Sequence, residues 1–446
     1  MARIIGIKHR VKKTKEGEAK PTLVAIKDGD KTNVYKLETE TDEYDFSKTR
    51  FPVEWKKIEP QEEIQWFDKE KNSTGLRRHQ CKWETAKEEK DLEGVNPSQI
   101  RAVAKKQKIE RLIAIPVKFD GLKEGDKVVT IFGGSGYIFA GRLSIEAEKN
   151  NAFVYCLSPH ELAHRRNQDK EKDHLTLIEI FEENPDLFHL IRPVDRGLIR
   201  VAEALSLREA AQGQRKKRQQ QVWHSLKGRV FLDEAGNYGD LEGEITDAYD
   251  EAQEKDVILQ NLWKQEEEAE KGLKKAVQDT LVWKRIFENI EGCGERIAAG
   301  IIAPIGDIRR FMAQNGKARL KAFCGAHVLL GGKNGKRPKE KQFPRRRAGE
   351  VSNWSPLTRQ ALYLLGGQFN RRPGTEWGKR VIDYKLSLQK KYPEPVEFEA
   401  KENGKTVKKK RYTKGHLLKM ALRHSLTKFV EHVYKEWVKL EKENQR

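Results

Sequence analysis

The sequence predicts an α/β domain followed by all-α regions, and three observations carry that prediction. Short apolar runs separated by turn residues fill the first 193 residues, Leu, Ala, Gln, Glu and Lys at helical spacing follow from Val194, and the chain turns strongly basic from Ile301. Of 446 residues, 88 are Lys or Arg and 68 are Asp or Glu, a formal net charge of +20. Residues 301 to 446 hold 35 of the former and 13 of the latter, net +22, which leaves residues 1 to 300 at −2. A region so charged repels itself, and a polyanion, most commonly nucleic acid, offsets that repulsion.

Residues 1 to 38 read as three strands, RIIGIKH, PTLVAIK and KTNVYKLE, with Asp28-Gly29-Asp30 as a hairpin signal between the last two. Residues 39 to 96, acidic and carrying Trp55, Trp66 and Trp83, read as an irregular insertion. Asn96-Pro97-Ser98 is expected to open a helix running through Ile113. An apolar run KVVTIFGG (127 to 134), a helix from Tyr137 to Lys149, a second run NAFVYCLSP (151 to 159) and a helical tract from His160 through Glu183 complete the region. Three strands, then helix, strand, helix, strand, helix, is the order of an RNase-H-like α/β domain, assigned to residues 1–193.

Residues 194–291 read as a helical hairpin arm of coiled-coil type, with Leu259, Leu262, Trp263, Leu273, Val277, Leu281 and Ile286 along one stripe and a Gly-, Asp- and Tyr-rich interruption at 233 to 250. Its run Arg215-Lys216-Lys217-Arg218 is either a positive stripe or an ordinary solvated face. Residues 292–446 read as a basic helical domain. It opens on Gly292-Cys293-Gly294, a helix and Pro304-Ile305-Gly306-Asp307, the pattern of a helix-hairpin-helix turn whose backbone N–H groups can hold a phosphate. The segment KNGKRPKEKQFPRRR (333 to 347) carries eight Lys or Arg and one acid, and helical segments follow at 356 to 372, 376 to 391 and 415 to 441.

Several chemistries are tested by their residues. His160-Glu161-Leu162-Ala163-His164 is an HExxH with Glu183 downstream, but Pro159 before it and Arg165-Arg166 after it favour a first-turn surface helix over a zinc site. FGGSGY (132 to 137) fits neither phosphate-binding glycine pattern, because Phe139 stands where a third glycine would be needed. Cys81, Cys156, Cys293 and Cys324 form no C-x-x-C pair and read as reduced thiols. No stretch approaches the roughly 20 apolar residues of a membrane span, and the N-terminus lacks a signal peptide's apolar centre, so a cytoplasmic location is expected.

An RNase-H-like nuclease holds two Mg²⁺ ions between carboxylates from its first strand, its fourth strand and its last helix. Here the first strand offers Lys8, the fourth (Val128 to Phe132) offers no acid, and only Asp169, Glu171 and Asp173 remain near the last helix. The expectation is a degenerate domain, inert as a nuclease and without a cofactor; Mg²⁺ enters only if those three acids form an active site.

The segment GCGERIAAGIIAPIGDIRRF with KARLKAFCGAH, the stretch RAGEVSNWSPLTRQALYLL and the terminal HLLKMALRHSLTKFVEHVYKEW resemble the C-terminal domain of bridge-RNA-guided insertion-sequence transposases, which pair it with a DEDD RuvC-like domain. The N-terminal half is similar in element order, through IGI at 5 to 7, GGSGY, CLSP and KEKD at 170 to 173. Of the family's four acids Asp173 has a counterpart; Lys8 replaces the first, Thr130 or Ile131 the second and Lys170 the third unless a one-residue shift admits Asp169, while the family's serine-bearing SGGK element reads Leu330-Gly331-Gly332-Lys333. The chain also resembles the Tas proteins associated with tandem interspaced guide RNA arrays, and through them the Nop domain of box C/D ribonucleoproteins. These resemblances imply a guide RNA gripped by the C-terminal domain, a target DNA read by base pairing, and a homodimer formed through the helical arm. On that reading Gly292 and Gly294 hold a phosphate, Lys333, Lys336, Arg337, Arg345, Arg346 and Arg347 neutralise the RNA backbone, and Arg371, Arg372, Lys408, Lys409, Lys410 and Arg411 extend that surface. Trp354 and Trp377 either stack on unpaired bases or belong to a core. The alternatives are a DEDD-type transposase, recombinase or nuclease and a Nop-like structural RNA scaffold.

Overall fold

The computed structural model describes residues 2–10, 19–68, 75–103, 108–131, 136–166, 169–236, 245–330, 341–342, 344, 353–402 and 405–444. The chain is mixed α/β and divides into two compact units, Met1–Arg192 and Pro193–Arg446.

The first unit is built on β1 (Ile4–Lys8), β2 (Thr22–Asp28) and β3 (Lys31–Leu37), which pair in sequence as antiparallel neighbours. Helix α1 (Glu40–Ser47) follows, capped by Thr39 and Asp42 bonding reciprocally. Next come β4 (Phe51–Lys57), β5 (Lys82–Thr85), β6 (Ile100–Val103) and β7 (Lys108–Asp120), then β8 (Lys127–Ile131), α2 (Gly136–Lys149), β9 (Phe153–Leu157), α3 (Pro159–Arg165), α4 (Asp173–Glu183) and β10 (His189–Leu190). The main sheet runs β10-β9-β8-β1-β2-β3, with β8 parallel to both β1 and β9. Alternation along each strand decides its two faces. Ile5, Ile7, Val24, Ile26, Val128 and Val154 share one core with Phe46, Phe139 and Leu143, whereas Ala25, Val129 and Leu157 share another with Leu177, Ile178 and Phe181 of α4.

Three expectations fail here. The helix from Asn96 to Ile113 does not form: Asn96 caps only a 3-10 turn at Pro97–Gln99, after which Ile100, Val103, Ile109, Ile113 and Ile115 lie on β6 and β7. Those β-branched residues gain more from cross-strand pairing than the local cap offers a helix. The insertion is likewise ordered, since β7 pairs with β4, β5 and β6 and closes a small core of Ile64, Cys81, Leu112 and Ile115. Trp66 and Trp83 stack beside it with ring centroids 5.7 Å apart. The tract from His160 to Glu183 is two helices rather than one, separated around a 3-10 turn at Lys170–Lys172.

The second unit begins with α5 (Pro193–Phe231), α6 (Ile245–Lys255) and α7 (Val257–Gln278), followed by a π-turn at Trp283–Phe287. Ion pairs Arg208–Glu270, Arg215–Glu266 and Arg218–Asp256 advance along α5 while receding toward the start of α7, so the pairing is antiparallel. Of the expected stripe, Leu259, Leu273, Val277 and Ile286 are buried and Leu281 is exposed. Helices α8 (Glu295–Ile305) and α9 (Gly316–Phe323) come next, then the short pair β11 (Leu329–Leu330) and β12 (Lys341–Gln342). The chain closes with α10 (Pro356–Arg371), α11 (Glu376–Lys391), the hairpin β13 (Val396–Glu402) and β14 (Lys405–Arg411), and α12 (Lys414–Glu443). Leu198, Val201 and Leu205 of α5 join the same core as Ala299, Ile302, Leu365, Phe369 and Phe429. Gly300 lets α8 approach α10, because a Cβ there would lie 2.8 Å from that of Ala361.

Inside this core the segment Gly306 to Phe311 carries a buried charge cluster. Gly306 ends α8 at φ +63, which favours glycine, and Asp307 then caps a 3-10 turn. Arg309 donates to Asp307 and, at 2.9 Å, to Asp195 of α5, and lies 3.9 Å from Glu441 of α12. One guanidinium thus ties three helical regions of the sequence together in the core.

Candidate nucleic-acid interface

In the first unit Asp169, Glu171 and Asp173 lie around the turn before α4, and Glu171 reaches the end of β1. The two-residue period that sends Ile5 and Ile7 into one core turns Ile4, Gly6 and Lys8 toward α4. Helix α4 lies so close that a Cβ on Gly6 would sit 1.9 Å from the carbonyl oxygen of His174. This contact brings Lys8 to the turn that precedes α4, where its Nζ is 2.7 Å from Oε2 of Glu171, while Lys20 reaches Oε1 at 2.6 Å. The hydrogen bonds from Lys20 and then Lys8 hold the Glu171 carboxyl down to about 2.

Asp173 is buried and accepts from Nε of Arg166 at 2.6 Å and from Nη2 at 2.8 Å. Asp169 accepts from the backbone N–H of Glu171 at 2.8 Å and so caps the turn. On β8, the Thr130 hydroxyl donates to the Ile7 carbonyl at 3.3 Å. This donor set does not fit a pair of Mg²⁺ ions, because its two central carboxylates are already held by ammonium and guanidinium groups that would repel a cation. Among the described residues no group of three His, Cys, Asp or Glu side chains is placed to hold a metal ion. The HExxH residues lie on the seven-residue α3, with Nε2 of His160 and His164 3.1 Å apart and both rings exposed.

The second unit distributes its sequence-predicted residues over several elements. Gly292, at φ +86, lies against the end of α10, where a Cβ would come within 2.9 Å of Gln368 Cβ and 3.4 Å of Arg372 Nη1. Arg372 itself donates to Gln368, and Arg371 and Arg372 are both exposed. Gly294 is the N-cap of α8 and makes no side-chain cap bond, but the first turn carries its own acid, Glu295, which accepts from Gln278 at 2.7 Å. Gly292 is thereby brought beside Arg372, whereas the α8 terminus is partly answered by Glu295.

Lys333, Lys336, Arg337, Arg345, Arg346 and Arg347 lie outside the described residues. Lys408, Lys409, Lys410 and Arg411 lie on β14, opposite Glu399, Phe398, Glu397 and Val396 of β13. Lys408 and Lys410 are exposed, Lys410 approaches Glu397 at 3.4 Å, and Arg411 covers the Phe398 ring at 4.1 Å. The expected basic run is therefore a strand edge paired with an acidic strand. Asn403-Gly404 between two alternating runs was the sequence signal for this hairpin.

The alternatives left open for the two tryptophans and for the basic run of α5 are narrowed. Trp377 is buried, stacked on Phe369 at 5.7 Å and set edge-on to Phe429, so it belongs to the core and cannot receive a base. Trp354 is half-buried under Arg359, whose guanidinium lies 4.8 Å from its ring. In the arm, Arg215 and Arg218 are spent on Glu266 and Asp256, leaving Lys216 and Lys217 as the exposed members of the run. Sequence reasoning also missed a cleft of about 390 Å³ lined by Arg380, Tyr384, His424, Ser425 and Lys428. Tyr384 and His424 stack there at 3.8 Å.

Among the described residues no helix is long and apolar enough to cross a membrane. No protein-family model matches the chain, and no curated protein matches its sequence.

Proposed function

We propose that the chain is a catalytically silent, RNA-guided DNA-binding protein of the Tas or bridge-RNA transposase kind. Its first unit is a degenerate RNase-H/RuvC-like domain, α5 to α7 form a coiled-coil arm for homodimerisation, and the basic remainder of the second unit holds the guide. The observation that carries this reading is the pairing of Glu171 with Lys8 and Lys20 and of Asp173 with Arg166. Carboxylates neutralised in this way are poor Mg²⁺ ligands, and the lysines beside them suit a phosphate backbone better than a metal. The strand order β3-β2-β1-β8-β9, antiparallel and then parallel, supports the RNase-H-like reading. The net +22 of residues 301 to 446 supports a polyanionic partner for the second unit.

The test is to purify the full chain, sequence any RNA that accompanies it, and measure RNA binding against salt and cleavage with Mg²⁺. The expected result is short repeated RNAs with variable segments, a log-log salt slope of about −0.7 per neutralised phosphate, and no cleavage. Protein free of nucleic acid that cuts DNA with Mg²⁺, and stops when Asp173 is changed to Ala, would overturn the proposal. One abundant structured RNA would instead identify a scaffold.

A further inference from the structure

A second group of basic side chains in the second unit gathers around Gly325. Gly325, at φ +63, packs its backbone under both Trp354 and Arg359, since a Cβ there would lie 3.0 Å from Cδ1 of the indole and 3.0 Å from Cδ of the arginine. Two residues on is His327, and the Thr427 hydroxyl donates to the intervening Ala326 carbonyl at 2.9 Å, fastening this segment to α12. Arg359 belongs to the first turn of α10, behind the Ser355 cap, and Arg423 of α12 lies close enough for its charge to act on Arg359.

Two polar atoms of the arrangement are left over. Nη1 of Arg359 and Nδ1 of His327 are buried atoms with no hydrogen-bond partner. Among the described residues no carboxylate forms an ion pair with Arg359, and the charges that act on these two side chains are that of Arg423 on Arg359 and that of Arg359 on His327. Burial followed by the Arg423 charge lowers the pKa of the Arg359 guanidinium, and burial followed by the Arg359 charge lowers that of His327. The ring of Trp354 attracts Arg359 but accepts no hydrogen bond in the plane of its guanidinium. A buried donor on a cation is met most strongly by an acceptor that carries negative charge, and Arg359, His327 and Arg423 all remain partly open to solvent.

We infer that Arg359, His327 and Arg423 form an anion site that takes a phosphate group, with the indole of Trp354 as one wall. Within the proposed function the phosphate is a diester of the bound RNA, and this part of the inference rests on that reading. The planar guanidinium matches two phosphate oxygens, which a lysine would not.

The experiment follows the His327 imidazole signal by NMR in the full chain during titration with inorganic phosphate and then with a 12-nucleotide single-stranded RNA. The expected result is a saturable shift with phosphate, displacement of phosphate by RNA, and loss of the phosphate response in Arg359→Met. The same variant should bind RNA at least about tenfold more weakly, the range expected for losing a charge-assisted bond, with Arg359→Lys intermediate. A response to phosphate that RNA leaves untouched supports the site with free phosphate as its ligand and counts against the RNA reading. No response of wild-type His327 to either probe overturns the inference, whether or not the variants fold. RNA binding by the wild type that Arg359→Met leaves unchanged overturns the diester assignment while the proposed function stands.

Discussion

The acids Glu171 and Asp173 of the first unit and the Arg359 group of the second are opposite answers to the same problem of placing charges close together. At β1, Glu171 and Asp173 are each met by cations from their own chain, so the cluster is complete as it stands. At Gly325, Arg359 and His327 are brought together with Nη1 of the one and Nδ1 of the other left without partners and no acid among the described residues paired with Arg359. Helix α5 repeats the first answer, with Arg215 and Arg218 closed onto Glu266 and Asp256, although its run Arg215-Lys216-Lys217-Arg218 carries as many cations as Lys408 to Arg411 on β14. A run of lysines and arginines therefore marks an interface only where the fold does not supply the counter-charge, and that depends on which strand or helix it is packed against.

The largest effect should come from breaking a closed cluster inside the core. Arg309→Ala leaves Asp195, Asp307 and Glu441 buried without their shared cation, and removing one partner of such a group costs about 3–5 kcal/mol. Denaturant unfolding monitored by tryptophan fluorescence should show the loss, and a change under 1 kcal/mol would mean that these acids find other partners. Asp173→Ala is the matching change in the first unit. Arg166 is nearer the surface and can regain water, so the expected loss is about 1–3 kcal/mol, with no change in activity toward DNA in the presence of Mg²⁺.

How much of this was legible in the sequence depends on the range of the interaction involved. Five of the six strands of the main sheet, all but β10, announced themselves by short apolar runs and by Asp28-Gly29-Asp30, and Lys8 was legible at the place where a metal-binding carboxylate was sought. The helix expected after Asn96 failed because its cap is a local signal, whereas β7 draws on three partner strands up to 69 residues away, as in the pairing of Phe51 with Asp120. Trp377 as a core residue and Arg218 as half of an ion pair needed the packing of α11 and α7, which no window of sequence contains. Arg359 gave no signal at all: it is a single cation in the first turn of α10, and only the fold sets it beside Gly325 and His327.

A pH measurement sharpens the contrast further. His174 is buried behind β1, its Nδ1 has no partner, and burial followed by the charge of Lys8 lowers its pKa below the ordinary histidine value. The unfolded chain therefore binds this proton more readily than the folded one, so stability is full above the unfolded value of about 6.5 and falls as the pH drops below it. Thermal unfolding between pH 5 and 7.5 should show that slope, and His174→Gln should flatten it. An unchanged slope in the variant would assign the acid sensitivity to other groups.

The smallest effect belongs to Glu171, which is the most exposed member of the paired set, with 55% of its side chain accessible. Its pKa of about 2 means that the carboxylate keeps its charge across the whole neutral range. Its contribution is present above the ordinary glutamate value and disappears only as the pH falls toward 2, so wild type and Glu171→Gln should differ by a constant amount from pH 5 to 8. Solvent screening keeps that amount to about 0.5 kcal/mol or less. RNA affinity makes the same substitution informative, because it releases Lys8 and Lys20 from their shared acid. If the polyanion reaches this end of the sheet, the variant should bind more tightly, with a salt slope steeper by about one phosphate. If RNA is held by the second unit alone, affinity and slope stay at their wild-type values, and the closed cluster at β1 is then a stabilising remnant rather than part of the interface.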